Sequence, residues 1–281
     1  MLRTSAPVRV LDGRDLDEVL ALLDRDPVAD VFVASRIELA GLSESRLGAQ
    51  VWGYGERGSL EALCYSGANL VPVQAGPDAV RGFADRARRQ GRRCSSIVGA
   101  SDAVLPLWDV LRPHWGPARD LRDAQPLMAL SGPPAVEPDP GVRRVRPDEI
   151  EVLLPACVAM FTEEIGVSPM AGDGGGLYRS RVRELIAHGR AYARIEDGRV
   201  LFKAEVGAAT RRVCQVQGVW VDPALRGRGL SLGGTAAVVE LSRREVAPVV
   251  SLYVNDFNHA ARRAYARVGF TEVGLFTSVL F

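Results

Sequence analysis

The chain has 281 residues, of which 47% are hydrophobic, and its 35 Lys and Arg against 34 Asp and Glu leave a net charge of +1. At about 100–200 residues per domain that length predicts two folded domains, and the even spread of basic residues excludes the electrostatic footprint of a nucleic-acid binder. No apolar run is long enough to cross a bilayer, and the stretch after Met1 lacks the apolar core of a secretory signal, so a cytoplasmic location is expected. The four cysteines, Cys64, Cys94, Cys157 and Cys214, lie far apart with no C-x-x-C spacing, which predicts reduced core residues and no metal site. Lys203 is the only lysine.

In chain order, Val8 to Leu11 leads into a helical stretch, Leu16 to Leu23. Extended runs follow at Gln50 to Tyr54, Leu60 to Tyr65 and Leu70 to Gln74, then a helix over Asp78 to Arg89, a strand over Cys94 to Val98 and a helix over Ala103 to Leu111. Residues Ser131 to Gly141 hold four prolines and read as a linker, splitting the chain into 1–130 and 142–281.

The second half opens as the first does, with Val142 to Val145 before a helix over Ile150 to Phe161 and another over Tyr178 to His188. Strands are expected at Ala191 to Ile195, Val200 to Val206 and Val213 to Val221, with Asp197-Gly198 as a hairpin turn. A helix over Gly233 to Arg244, a strand over Val249 to Val254, a helix over Ala260 to Val268 and a final strand over Glu272 to Phe281 complete it. The order predicts an α/β (α+β) fold of two tandem copies, each a mixed sheet flanked by helices.

One stretch carries chemistry. Val219 to Ser231, VWVDPALRGRGLS, reads as a strand, a short loop and the start of a helix, where unpaired N–H groups and glycines suit an anion. A tight turn is the plain alternative. A Walker loop is excluded because no lysine is present, and Gly227, Gly229 and Gly233 are spaced one residue too long for a dinucleotide fingerprint. The corresponding junction of the first half, Val71 to Asp78, has no such cradle.

Arg226 and Gly229 fit the pattern Q/R-x-x-G-x-G/A that follows a strand in the GNAT superfamily of N-acetyltransferases, and the segment resembles it. Downstream, Asn258, Ala261, Tyr265 and Gly269-Phe270 resemble that family's second signature. The resemblance covers about Val142 to Phe281, and the whole layout is similar to actinobacterial members with a degenerate GNAT-like N-terminal domain.

The resemblance implies an acetyl-CoA-dependent N-acetyltransferase in which an amine attacks the thioester directly within a ternary complex. It implies that Val219, Trp220 and Val221 pair with the pantetheine arm, that Arg226, Gly227, Arg228, Gly229, Leu230, Ser231 and Leu232 wrap the pyrophosphate, and that Asn258 contacts the cofactor. Tyr265 is placed as the general acid for the departing sulfur, with a buried structural tyrosine as the alternative. Ser231 departs from the Gly or Ala of the pattern. Gln215 and Tyr253 stand where relatives carry a glutamate base.

Candidate carboxylates are Glu205, which with Lys203 otherwise reads as a surface ion pair, and Glu163 and Glu164, which otherwise read as a solvated helix end before the loop Gly166 to Gly176. With Asp256 they suggest a cationic amine, small molecule or peptide, as acceptor. Trp220 is read as core. Two other functions fit the same residues: a non-catalytic acetyl-CoA sensor, and a transferase using a longer acyl-CoA.

Overall fold

The computed structural model describes residues 8–171 and 174–281. The chain divides into two compact units: the described residues up to Leu127 with Tyr253–Phe257 and Glu272–Phe281, and Met128–Leu252 with Asn258–Thr271. Among the described residues no helix is long and apolar enough to cross a membrane.

In the first unit β1 (Val8–Val10) precedes α1 (Leu16–Leu23), α2 (Val31–Ala40) and α3 (Glu44–Leu47), then β2 (Gln50–Tyr54), β3 (Ala62–Ser66), β4 (Asn69–Val73), α4 (Pro77–Gln90), β5 (Ser96–Ala100) and α5 (Ser101–Trp115). The strand β6 (Asp120–Leu130) follows. In the second unit β7 (Val142–Arg144), α6 (Ile150–Ile165), α7 (Gly176–Ala187), β8 (Ala191–Glu196), β9 (Arg199–Ala209), β10 (Val213–Val221), α8 (Leu230–Glu245), β11 (Val249–Tyr253) and α9 (His259–Val268) repeat that order, and β12 (Thr271–Leu280), which falls almost wholly in the first unit, follows.

The pairing repeats as well. In the first unit β1 to β4 run antiparallel and β4 pairs with β5 in parallel. In the second, β7 to β10 run antiparallel and β10 pairs with β11 in parallel. Two copies of one plan in series match the tandem organisation read from the sequence.

The last strand departs from expectation. β12 does not complete the second unit's sheet: Phe276 to Leu280 pair antiparallel with Ala100 to Ser96 of β5. Val279 is fully buried in the first unit's core with Trp52, Phe83 and Leu107, and Phe281 stacks edge-on against Trp108 and Trp115. The alternation of apolar residues marks a strand, but which β-strand edge it joins depends on contacts far away in sequence.

Local chemistry fixes the elements that matter for the site. α6 stops at Gly166, whose left-handed φ of 80° continues no helix. α9 is opened by Asn258, whose side chain accepts from the Ala261 N–H, and closed by Gly269 at φ 112°. In β9, Phe202 lies against α8, where Gly234 leaves room for the ring, while Lys203 and Glu205 point to the opposite face. The Pro-rich segment 131–141 is irregular but tied down, by Ala135 N–H to Val268 O at 2.8 Å and Asp139 N–H to Gly233 O at 3.0 Å.

Candidate active site

β10 is buried from Val213 to Val216 and opens at Gln217, Gly218 and Val219. Two irregularities cause this. Its parallel ladder to β11 covers Val213 to Gln215 only, although β10 runs on to Val221. On the other edge the register with β9 slips between Gln217, opposite Glu205, and Trp220, opposite Lys203. Such a bulge takes the backbone groups of Gly218 and Val219 out of the ladder. Gly218 has φ 60°, and a Cβ there would lie 2.9 Å from Lys203 Nζ and 3.0 Å from Met160 Cε, so only glycine fits.

After β10 the chain makes a short helical turn, Pro223–Leu225, capped by the Asp222 carboxylate on the Ala224 N–H at 3.0 Å. Gly227 and Gly229 then take φ of 77° and 81°, and a Cβ at either would meet nothing within 4 Å. The left-handed backbone, not crowding, demands glycine here. Gly229 opens α8 at the positive end of its dipole: the Leu232 and Gly233 N–H groups donate to Gly229 O at 3.0 and 3.4 Å, and those of Leu230 and Ser231 precede this first intrahelical bond. Leu230, Ser231 and Leu232 are the first turn of this helix, which begins three residues earlier than its apolar pattern suggests.

Arg226 is already engaged: its Nη2 meets Glu163 Oε2 at 2.7 Å and its Nε donates to Val221 O at 3.1 Å. Trp220 lies in the core cluster beneath α6 and α7, and its indole N–H donates to the other oxygen of Glu163 at 3.2 Å. Glu163 therefore ties the end of α6 to the glycine loop. Arg228 is exposed. Residues 172–173 of the loop Gly166 to Gly176 lie outside the described residues.

Tyr265 on α9 is 8% exposed and stacks edge-on against Phe270, with ring centroids 6.1 Å apart. Burial, with a smaller contribution from the nearby Glu164 carboxylate, pushes its hydroxyl above the ordinary tyrosine range, so it keeps its proton. Asn258 spends its side-chain oxygen on capping α9, at 3.1 Å from the Ala261 nitrogen.

Lys203 and Glu205 are not a surface pair. They are 1% and 8% exposed, and Lys203 Nζ lies 3.1 Å from Glu205 Oε2. The other carboxylate oxygen accepts from Gln217 Nε2 at 2.9 Å. Burial opposes the charge on Glu205, but the Lys203 ammonium and the Gln217 amide outweigh it and hold the carboxyl below its usual range. Burial likewise opposes the charge on Lys203, and Glu205 foremost turns the balance upward. An ionised, paired carboxylate with both oxygens occupied is a poor base. The two residues alternate with Ala204 as any half-exposed strand does, and only the covering helices bury them.

Gln217 was not among the residues the sequence singled out. Its one signal was the two-residue spacing from Gln215, which puts both on one face of β10. Its side chain lies over Gly207 of β9, where a Cβ would come 2.2 Å from the amide carbon.

Residues 173–270 match the model of the acetyltransferase (GNAT) family, and residues 49–153 match a domain of unknown function, DUF4081. No match to the sequence is found among curated proteins. The fold resembles a GNAT-family acetyltransferase from Colwellia psychrerythraea, at 13% identity over 98% of this chain and 99% of that one with a TM-score of 0.55. It also resembles a Drosophila protein, at 15% identity over 98% and 99% with a TM-score of 0.66. A tandem GNAT protein from the clavulanic acid biosynthesis pathway aligns at 16% identity over 97% and 98% with a TM-score of 0.54. These likenesses extend along almost the whole chain and fit the repeated strand order of the two units. With the glycine turn, the interrupted strand and the family match falling on one segment, the chain carries a GNAT acetyltransferase domain, an enzyme domain of the transferase class.

Proposed function

We propose that the protein is an acetyl-CoA-dependent N-acetyltransferase, and that 142–281 holds the reaction while 1–130, without a glycine loop, binds no acyl-CoA. The observation that carries this is the pairing of two features within one short stretch: a strand edge left without a ladder beyond Gln215, and a left-handed glycine turn into α8. An unpaired strand edge suits an extended chain of amides such as a pantetheine arm along Val219, Trp220 and Val221. A pyrophosphate suits the left-handed turn and helix N-terminus from Gly227 to Leu232, where the Leu230 and Ser231 N–H groups precede the first intrahelical bond. Arg226 contributes through its grip on Glu163, which braces the loop against α6.

The amine nitrogen attacks the thioester carbonyl, and the carbon–sulfur bond breaks as the tetrahedral oxyanion collapses. The nitrogen loses one proton to water and the sulfur gains one from Tyr265, whose retained proton makes it a general acid. The Glu164 charge, a smaller cause of the raised hydroxyl pKa, keeps Tyr265 in its neutral, proton-bearing form until the thiolate departs. Acetyl-CoA should raise the melting temperature by mass action. Thiol release from acetyl-CoA, dependent on an added amine, tests the reaction. A melting shift without thiol release for any amine would replace the enzyme with a sensor.

A further inference from the structure

The three glutamates that could deprotonate an acceptor are each engaged. Glu163 holds Trp220 and Arg226, Glu205 holds Lys203 and Gln217, and Glu164 has a partner of its own. What opens toward the interrupted part of β10 is Gln217, half-exposed between buried Val216 and the bulge at Gly218.

Its amide is oriented by its neighbours. A carboxylate accepts only, so the group facing Glu205 Oε1 at 2.9 Å must be the amide nitrogen, and the amide oxygen is turned away from the pair. The buried Lys203 fixes Glu205 from the other side at 3.1 Å. A buried ion pair contributes little to stability compared with apolar residues of the same volume, so its presence beneath the one open stretch of β10 points to a positioning role. The lone lysine of the chain is spent here.

We propose that Gln217 binds the acceptor amine through its amide oxygen, with Glu205 and Lys203 as positioning residues, and that the acceptor is weakly basic enough to arrive neutral. The inference rests on the transferase reading above. An amide oxygen takes one N–H of a neutral amine and leaves the nitrogen lone pair free to attack. A carboxylate in its place would stabilise the ammonium form and hold that lone pair protonated. The chemical class that follows is an amine ionised little at neutral pH, such as an arylamine or a hydrazide.

The test measures acetyl-CoA-dependent thiol release with amines graded in basicity, across pH, together with melting temperature. In the wild type, kcat/KM should inflect at each acceptor's own pKa, moving from one amine to the next. Gln217→Met should raise the acceptor KM roughly 10–100-fold, the loss of one buried hydrogen bond, with the acetyl-CoA KM and melting temperature unchanged. The double variant Lys203→Met, Glu205→Leu should melt no lower than wild type yet reproduce the raised acceptor KM. An unaltered acceptor KM in Gln217→Met overturns the inference, as does an inflection at one fixed pH for all acceptors, and in both cases thiol release still upholds the transferase. Absence of thiol release with every amine overturns the transferase reading and the inference with it.

Discussion

The two units meet the same junction, a parallel strand running into a helix, and treat it in opposite ways. In the first, β4 ends at Gln74, held at φ 51°, and its side-chain amide donates to Leu22 O at 2.7 Å and to Asp30 at 2.8 Å. α4 then begins with Pro77, which has no N–H to offer. In the second, Gly227 and Gly229 turn the chain at φ 77° and 81°, and the Leu230 and Ser231 N–H groups precede the first intrahelical bond of α8. One junction spends a side chain and a proline where the other spends two left-handed glycines. Shared topology therefore does not imply a shared N-terminal helix environment. The deciding quantity is how many backbone donors the local sequence leaves unspent.

The largest expected effect tests this directly. Gly229→Val forces a side chain into a left-handed backbone at a cost of about 1–2 kcal/mol, and it should abolish the melting shift given by acetyl-CoA. Gly76, at φ −69° and ψ 175° before α4, has open space for a Cβ, so Gly76→Ala should leave that shift intact. Equal loss in both variants would erase the distinction between the junctions. Next, Tyr265→Phe should lower turnover roughly 10–1000-fold while acetyl-CoA affinity holds, because the hydroxyl acts after binding. Unchanged turnover would reduce Tyr265 to packing against Phe270.

The closed junction makes its own prediction. Burial pushes the Asp30 carboxyl up to about 7, against the Gln74 hydrogen bond that favours its charge. The folded state then binds a proton that the unfolded state has released, so stability is lost as pH rises from about 4 to 7 and stays lower above it. At about 1.4 kcal/mol per unit the penalty is on the order of 4 kcal/mol. Asp30→Asn should raise the melting temperature at neutral pH and lose that advantage near the ordinary carboxylate pKa, and a gain independent of pH would refute the assignment. The smallest effect concerns the last strand: Val279→Ala removes buried methyls from the first unit's core at roughly 1–3 kcal/mol. Hydrogen exchange should quicken in β5 and α5, and exchange that quickens only in α9 would contradict the pairing of β12 with β5.

Much of the site was legible because it is local. Gly227 and Gly229 are written by a backbone turn that few other residues tolerate, and Tyr265 by helical spacing from Asn258 to Gly269. Gln50 to Tyr54 and Val213 to Val221 carry alternation strong enough to mark their strands to the residue. Other elements carried weaker signals. α2, Val31–Ala40, is apolar on most sides and shows little helical contrast, and β6 contains Pro126, which argues against a strand. The hydrogen-bond partners of Arg226, Glu163 and Trp220 could not be read from sequence, since each depends on which group the fold brings into reach.

By itself the sequence determined the tandem plan, the order of most elements and the glycine turn before α8, because periodicity, caps and positive-φ glycines act over a few residues. Tertiary structure alone decided three things. It sent β12 to the edge of β5, since strand pairing is a competition among distant edges. It buried the Tyr265 hydroxyl, which raises its pKa above the ordinary tyrosine range, an effect that composition cannot touch. And it buried Lys203 with Glu205 beneath Gln217, because the desolvation that decides what a charge does is supplied by helices from elsewhere in the chain.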